Sequence, residues 1–128
     1  MAGRLILDSG AVIAWQRGRP SVWARIAEAA RQGMPLVIPA VVVAECVRGG
    51  PGDAMIHRLL ATARVPLIGT RIALQAGRLL GEAGISATID ALIVAEAIGG
   101  GPSVILTSDP DDIKALVDDR AHVQVIAI

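Results

Sequence analysis

The sequence has no phenylalanine, no tyrosine, one cysteine and a single lysine. With 53% hydrophobic residues and no Phe or Tyr, a core would have to be filled by aliphatic side chains and the two tryptophans, Trp15 and Trp23. The lone Cys46 excludes a disulfide framework and suits a reducing, cytoplasmic setting. Long apolar runs are also missing. The longest, Leu36 to Ala44, is too short to cross a bilayer and contains Pro39, so no membrane span is expected. No signal-peptide pattern is visible, because the amino terminus runs straight into a strand-like segment. Twelve basic and twelve acidic residues cancel, so bulk charge points neither toward nor away from nucleic acid. Every cation except Lys114 is an arginine, which can grip phosphate in a bidentate fork. A compositional bias of a GC-rich genome explains the same skew.

What is present alternates. A chain of 128 residues fits one domain, residues 1–128. Arg4 to Leu7 reads as a strand ending at Asp8-Ser9, followed by a helix to about Arg17. Ser21 is placed to cap a helix reaching Arg31, with Gly33 as its stop. Pro35 to Pro39 reads as a short buried strand, and Ala40 to Arg48 as a helix ended by Gly49-Gly50-Pro51-Gly52, the most flexible stretch by composition. Asp53 is a plausible cap for the next helix. Val65 to Ile68 reads as a brief strand weakened by Pro66. Thr70 is placed to cap a helix closed by Gly84, and Thr88 to Ile98 is a nearly all-apolar helix. Ser103 to Leu106 is another buried strand. Asp109-Pro110 opens a helix with proline where its missing N–H matters least, and Val123 to Ile128 is a last strand. Apolar strands without polar alternation have both faces covered. Their alternation with helices predicts a three-layer α/β/α sandwich around a mostly parallel sheet.

In such a sheet, ligands bind at the carboxyl edge of the strands, where strand order reverses. Four acidic residues fall at that edge. Asp8 follows the first strand, Asp109 follows the strand ending near Leu106, and Asp90 lies in the first turn of the helix before that strand. Glu45 lies on the helix after the Leu36–Ile38 strand, with a side chain long enough to reach back. Each has an ordinary alternative. Asp8 and Asp109 are good helix caps, Asp109 pairing with Asp112 in a capping-box-like pattern. Glu45 could form a surface pair with Arg48. Asp90 precedes a buried helix that Thr88 could already cap, which favours a functional role.

Carboxylates sharing one site repel each other and raise their pKa values unless a cation neutralises them. A hard divalent ion with oxygen ligands is the usual answer, and Mg²⁺ needs only a few carboxylates. Such an ion can activate a water and polarise a phosphoryl oxygen. Other chemistries lack their parts. His57 and His122 have no setting that suggests a general base, and Cys46 has no evident histidine partner. Gly99-Gly100-Gly101 is not a phosphate-binding loop. Ser9 could orient Asp8 or cap the first helix.

These residues resemble the PIN domain, particularly the VapC-type toxins of bacterial toxin–antitoxin pairs. The resemblance is carried by Leu5-Ile6-Leu7-Asp8-Ser9, Ile38-Pro39-Ala40-Val41-Val42-Val43-Ala44-Glu45, Ile89-Asp90-Ala91-Leu92-Ile93-Val94-Ala95 and Ile105-Leu106-Thr107-Ser108-Asp109-Pro110-Asp111-Asp112, in order along the whole chain. It implies a sequence-selective endoribonuclease requiring Mg²⁺ or Mn²⁺. Asp8 and Asp90 would be the main metal ligands, with Glu45 and Asp109 completing the site. Asp112 would be an accessory carboxylate or a cap. It further implies a homodimer, held inactive by an antitoxin whose tail inserts a basic side chain into the acidic pocket. Relatives often carry a further acid where this chain has Ser86-Ala87-Thr88, a departure that bears on metal occupancy. Arg17, Arg48 and Arg71, at element ends, are candidates to position RNA.

Two other readings compete. In a non-catalytic α/β interaction module the acids would be caps and surface charges. A phosphoacceptor or haloacid-dehalogenase-like phosphatase would need a second aspartate where Gly10 stands, or a lysine after a late strand, whereas Lys114 falls in a helix.

Overall fold

The computed structural model describes residues 3–128. The elements run β1 (Arg4–Leu7), α1 (Ser9–Gln16), α2 (Pro20–Arg31), β2 (Leu36–Val37), α3 (Ala40–Cys46) and α4 (Asp53–Ala61). They continue with α5 (Thr70–Ala83), α6 (Thr88–Gly99), β3 (Ser103–Thr107), α7 (Pro110–Val117) and β4 (Val123–Ala127). The sheet is parallel throughout, in the order β2-β1-β3-β4. The chain leaves β1 toward one side to make β2, then returns past β1 to make β3 and β4. Strand order therefore reverses between β1 and β3. Right-handed crossovers put α1 and α2 on one face and the later helices on the other. Accordingly α2 packs on β2, α6 on β3 and α7 on β4. The result is the expected three-layer sandwich.

Consecutive residues of the central strands are buried, as coverage on both faces requires. Leu5, Ile6, Leu7, Ile105 and Leu106 are at most 3% exposed. Burying each such side chain contributes about 1.5–3 kcal/mol. Helix α6 is apolar around most of its circumference, and Ala91, Ile93, Val94, Ala95 and Ala97 are sealed inside. Its carboxyl end is strapped to the start of β1 by Arg4, whose guanidinium donates to the Glu96 carbonyl at 2.8 Å. Gly100 makes room for that guanidinium, since a Cβ there would lie 2.0 Å from it. Helix α6 consequently runs antiparallel to β1 and β3, and its amino end arrives at their carboxyl edge.

Several expectations change. The tryptophans do not fill the core. Trp23 is 44% exposed, Trp15 is only partly buried, and the largest of the fully buried side chains are aliphatic. Val65 to Ile68 forms no strand. Only Arg64 bridges to Val37, and Pro66, lacking an N–H, cannot continue a ladder. Three helices begin without the caps expected of them. Helix α2 starts at Pro20 after Arg19, α5 follows Gly69, and α6 follows Ala87, none with a side-chain capping bond. Ser21, Thr70 and Thr88 thus lie inside their first turns. Asp53 does not cap α4 either. It is the first residue of that helix, and its carboxylate turns back to accept from Arg48 N and Gly49 N. The Gly49–Gly52 stretch is tied on both sides, because Gln16 Nε2 also donates to the Gly52 carbonyl at 2.8 Å.

Candidate active site

Asp8 ends β1 in an extended conformation and is the N-cap of α1, with one carboxylate oxygen accepting from Ala11 N at 2.8 Å. Its other oxygen accepts from the Thr107 hydroxyl and from Ser108 N at 3.2 Å. The cap and the candidate ligand are therefore one residue, only 4% exposed. Burial pushes its pKa upward and outweighs the bonds from Thr107, Ala11 and Ser108, while the charge of Asp109 adds to the rise. The Thr107 hydroxyl also accepts from Asp109 N at 2.8 Å. A continuous chain, Asp109 N–H to Thr107 O–H to Asp8, thus spans the point where strand order reverses.

Asp90 lies one turn into α6, with its side chain turned into the same concavity. Its pKa is raised to about 6, by burial first and then by the charges of Asp109, Asp8, Asp112 and Glu45. All four other site carboxylates act on this one group. The capping-box pattern of Asp109 and Asp112 is not used as a cap. Asp109 makes no side-chain capping bond, and Asp112 is raised by the Asp109 charge, by burial and by a side-chain hydrogen bond to Asp109. Asp90, Asp109 and Asp112 each offer an oxygen within 4.8 Å of the others.

Glu45 joins from α3, on the same cavity of about 360 Å³ as Asp8, Ser9, Asp90, Ser108 and Asp109. It makes no ion pair with Arg48, whose Nη1 instead donates to the carbonyls of Ala44 and Val47. Asp53 holds the chain where it leaves α3, accepting from Arg48 N at 3.1 Å and Gly49 N at 2.6 Å. Those two bonds keep its pKa below the usual carboxylate value.

The four carboxylates singled out in the sequence thus meet in one cavity, with Ser9 on its wall and Asp112 beside it. The arginines do not line it. Arg17 ends α1 at the opposite pole from Asp8, Arg48 is turned onto the end of α3, and Arg71 lies against Gly99 at the far end of α6. His57 and His122 are exposed, away from the site.

Two contributors escaped sequence reading. One is Thr107, whose hydroxyl buried at the end of the largely apolar β3 was itself the signal, because such a group requires a partner. The other is Gly10. A Cβ there would lie 1.9 Å from Ser108 Oγ and 2.5 Å from Ser108 Cβ. Only glycine lets the first turn of α1 approach the β3–α7 connection this closely.

An all-carboxylate donor set, with three oxygens inside 4.8 Å and pKa values pushed upward, fits a hard divalent cation better than a thiolate- or imidazole-seeking metal. Asp8 and Asp90 with Asp109 and Asp112 are the residues that could hold it.

Solved structures with this fold include VapBC2 from Rickettsia felis bound to a DNA fragment from its promoter. That similarity has a TM-score of 0.77 and 14% identity, over 97% of this chain and 98% of the other. VapBC-1 from nontypeable Haemophilus influenzae gives 0.69 and 20%, over 96% of each chain. A toxin–antitoxin complex from Klebsiella pneumoniae gives 0.61 and 21%, over 93% and 94%. No curated protein matches the sequence. The family model of the PIN domain matches residues 5–118, a span that holds all five site carboxylates. The chain belongs to the PIN domain family.

Proposed function

We propose that this protein is a Mg²⁺- or Mn²⁺-dependent endoribonuclease and the toxin of a toxin–antitoxin pair. The observation that carries the reading is the convergence of Asp8, Glu45, Asp109 and Asp112 upon Asp90 at the point where strand order reverses. So many carboxylates are uncomfortable together without a cation. The cluster is also far more concentrated than helix capping requires, since Asp8 alone among Asp8, Asp90 and Asp109 makes a capping bond.

Asp8, Asp90, Asp109 and Asp112 would hold the metal. Bound there, it would supply positive charge to a phosphodiester and lower the pKa of a water toward neutrality. The chain's own residues do the positioning. Thr107, Ala11 and Ser108 fix the orientation of Asp8 by donating to both of its oxygens. Glu45, on a separate helix, is available to accept a proton from water or to hydrogen-bond the ribose. Arg17, Arg48 and Arg71 are assigned to RNA beyond the scissile phosphate. The partner is an antitoxin that delivers a basic side chain into the acidic pocket, in keeping with the toxin–antitoxin complexes that share this fold. The working form is a cytoplasmic homodimer. Among the described residues no helix is long and apolar enough to cross a membrane.

Purified protein tests this directly. Single-stranded RNA should be cut in Mg²⁺ or Mn²⁺, leaving 5′-phosphate ends. Cleavage should stop in EDTA and fall by about a hundredfold or more in Asp8→Asn and Asp90→Asn, at or above the upper end of what losing an outer-shell partner of a metal ligand costs. A 2′,3′-cyclic phosphate product would refute hydrolysis by an activated water. No cleavage of any RNA, with a melting temperature unmoved across a Mn²⁺ titration, would favour the interaction module.

A further inference from the structure

The two tryptophans form a plate on the outside of the molecule. The ring of Trp15, on α1, stacks on that of Trp23, on α2, with centroids 5.0 Å apart and planes 9° from parallel. The Trp23 indole N–H donates to the Trp15 carbonyl at 2.8 Å, which fixes the orientation of the outer ring. Trp23 remains 44% exposed. A strut between α1 and α2 needs no exposed indole, because Val22 and Ala14 already bury aliphatic surface on the same two helices.

The setting of the plate is basic. Between Ser9 and Ala27 there are three cations, Arg17, Arg19 and Arg25, and no acid, in a chain whose overall charge is zero. All three are exposed, Arg17 and Arg19 at the turn that joins the two helices and Arg25 on a separate groove that it shares with Glu28. Trp23 N donates to the Arg19 carbonyl, and residues four apart share a helix face, so Arg19 and Trp23 lie on one side of α2. Trp15 stands on the helix whose other end carries Asp8, about 10 Å of helical rise away. Among the described residues, no large exposed aliphatic side chain stands on α1 or α2. Val65, Leu67, Ile68 and Leu74 belong to a different part of the fold. A protein-docking face presents contiguous apolar area, whereas this surface offers an aromatic face among guanidinium groups. That is the combination that binds unpaired bases and their phosphates.

We propose that the Trp15–Trp23 stack is a base-stacking subsite for single-stranded RNA, with Arg17 and Arg19, at the turn joining α1 to α2, meeting the flanking phosphates. It would seat a nucleotide removed from the scissile phosphate, and as a substrate subsite it rests on the ribonuclease reading above. Every base has a π-face, so the subsite would add affinity and a demand for unpaired RNA, with little base preference.

The chain supplies its own probe, since it has two tryptophans and no tyrosine or phenylalanine, and its emission comes from these two indoles. In EDTA, a short mixed-sequence single-stranded oligoribonucleotide should quench that emission saturably, and the same sequence as a duplex should not. Trp23→Leu should weaken binding roughly tenfold. Trp23→Phe should recover part of the loss. Arg17→Gln with Arg19→Gln should reduce the salt dependence of binding by about 0.7 per arginine in log–log slope. RNA that binds or is cut without quenching would overturn the proposal. So would equal quenching by polyglutamate, or by raising protein concentration alone, which would mark a protein-binding face or a second copy. Quenching without cleavage in Mg²⁺ would sink the nuclease and leave the subsite standing. Cleavage with unchanged affinity in Trp23→Leu would do the reverse. If Trp23→Leu fails to fold, the wild-type titration and Trp23→Phe decide.

Discussion

The hydroxyl of Thr107, at the end of β3, donates to the carboxylate of Asp8, at the end of β1, joining positions 99 residues apart in the chain. Because Asp109 N donates to that same hydroxyl, one buried side chain sets the spacing between two of the site carboxylates. Thr107→Val keeps the shape and removes the bond. Asp8 then loses one of the contacts that hold its pKa down, and Asp109 N loses its acceptor. The expected cost is about 1–3 kcal/mol of stability, with a further rise in the Asp8 pKa. Thr107→Ser should restore most of both. Denaturant unfolding and carbonyl-edited NMR titration of Asp8 would check this. A Val variant as stable as wild type would show that the bond is incidental.

Gly10 should be intolerant of any side chain. A Cβ at that position meets Ser108 Cβ at 2.5 Å, a clash that rotating the Ser108 side chain cannot relieve. Gly10→Ala should destabilise by about 1–3 kcal/mol, as for overpacked sites generally. It should also push the β3–α7 connection, with Asp109, away from Asp8. Ser108→Gly removes both clashing atoms, so in the double variant most of the penalty should vanish. Simple additivity of the two changes in a double-mutant cycle would refute the contact.

Metal-free protein should lose stability as pH rises. Asp8 and Asp90 both have pKa values above the usual 3.8, Asp90 at about 6. Between those values the folded state keeps protons that the unfolded chain releases. Stability from these groups is therefore fully present below pH 3.8 and declines as pH passes through about 6. Above that, Mn²⁺ or Mg²⁺ should take over the role of the protons. At a hundredfold excess over its Kd a ligand adds about 2.7 kcal/mol, on the order of 10 °C in melting temperature for a domain this size. Asp90→Asn should melt higher than wild type without metal at pH 7.5 and gain much less from Mn²⁺. Scanning calorimetry across pH, with and without Mn²⁺, decides the matter. A melting curve that ignores both variables would contradict the crowding of charge.

Asp53 is expected to govern Glu45 from a distance. Its carboxylate closes the turn after α3 by accepting from Arg48 N and Gly49 N. Asp53→Ala should lower the melting temperature by several degrees, as loss of a buried acceptor does. Its exchange-protected amides at Arg48 and Gly49 should open. Its pKa is lowered, so this contribution should be present above pH 3.8 and fade as pH falls through the folded-state value. Hydrogen exchange at those two amides, compared between pH 7 and pH 3, provides the measurement.

The buried runs of β1 and β3 and the nearly all-apolar α6 were legible from the residues, because a doubly covered strand has no polar alternation and a helix apolar on nearly every side belongs inside. The positions of Asp8, Glu45, Asp90 and Asp109 at element ends were equally legible, and parallel topology brings such ends to one edge. Only the folded chain could decide what those ends do. Asp8 both caps α1 and enters the cavity, since a carboxylate has two oxygens and α1 needs only one. Thr107, Gly10 and Asp53 act through partners brought together by strand pairing and loop closure, which local spacing does not encode. The tryptophans illustrate the limit in the other direction. Hydrophobicity alone sends an indole to the core, but in this fold the space between sheet and helices is already filled by aliphatic side chains. The rings were left to stack on each other at the surface, where composition gives no hint of them.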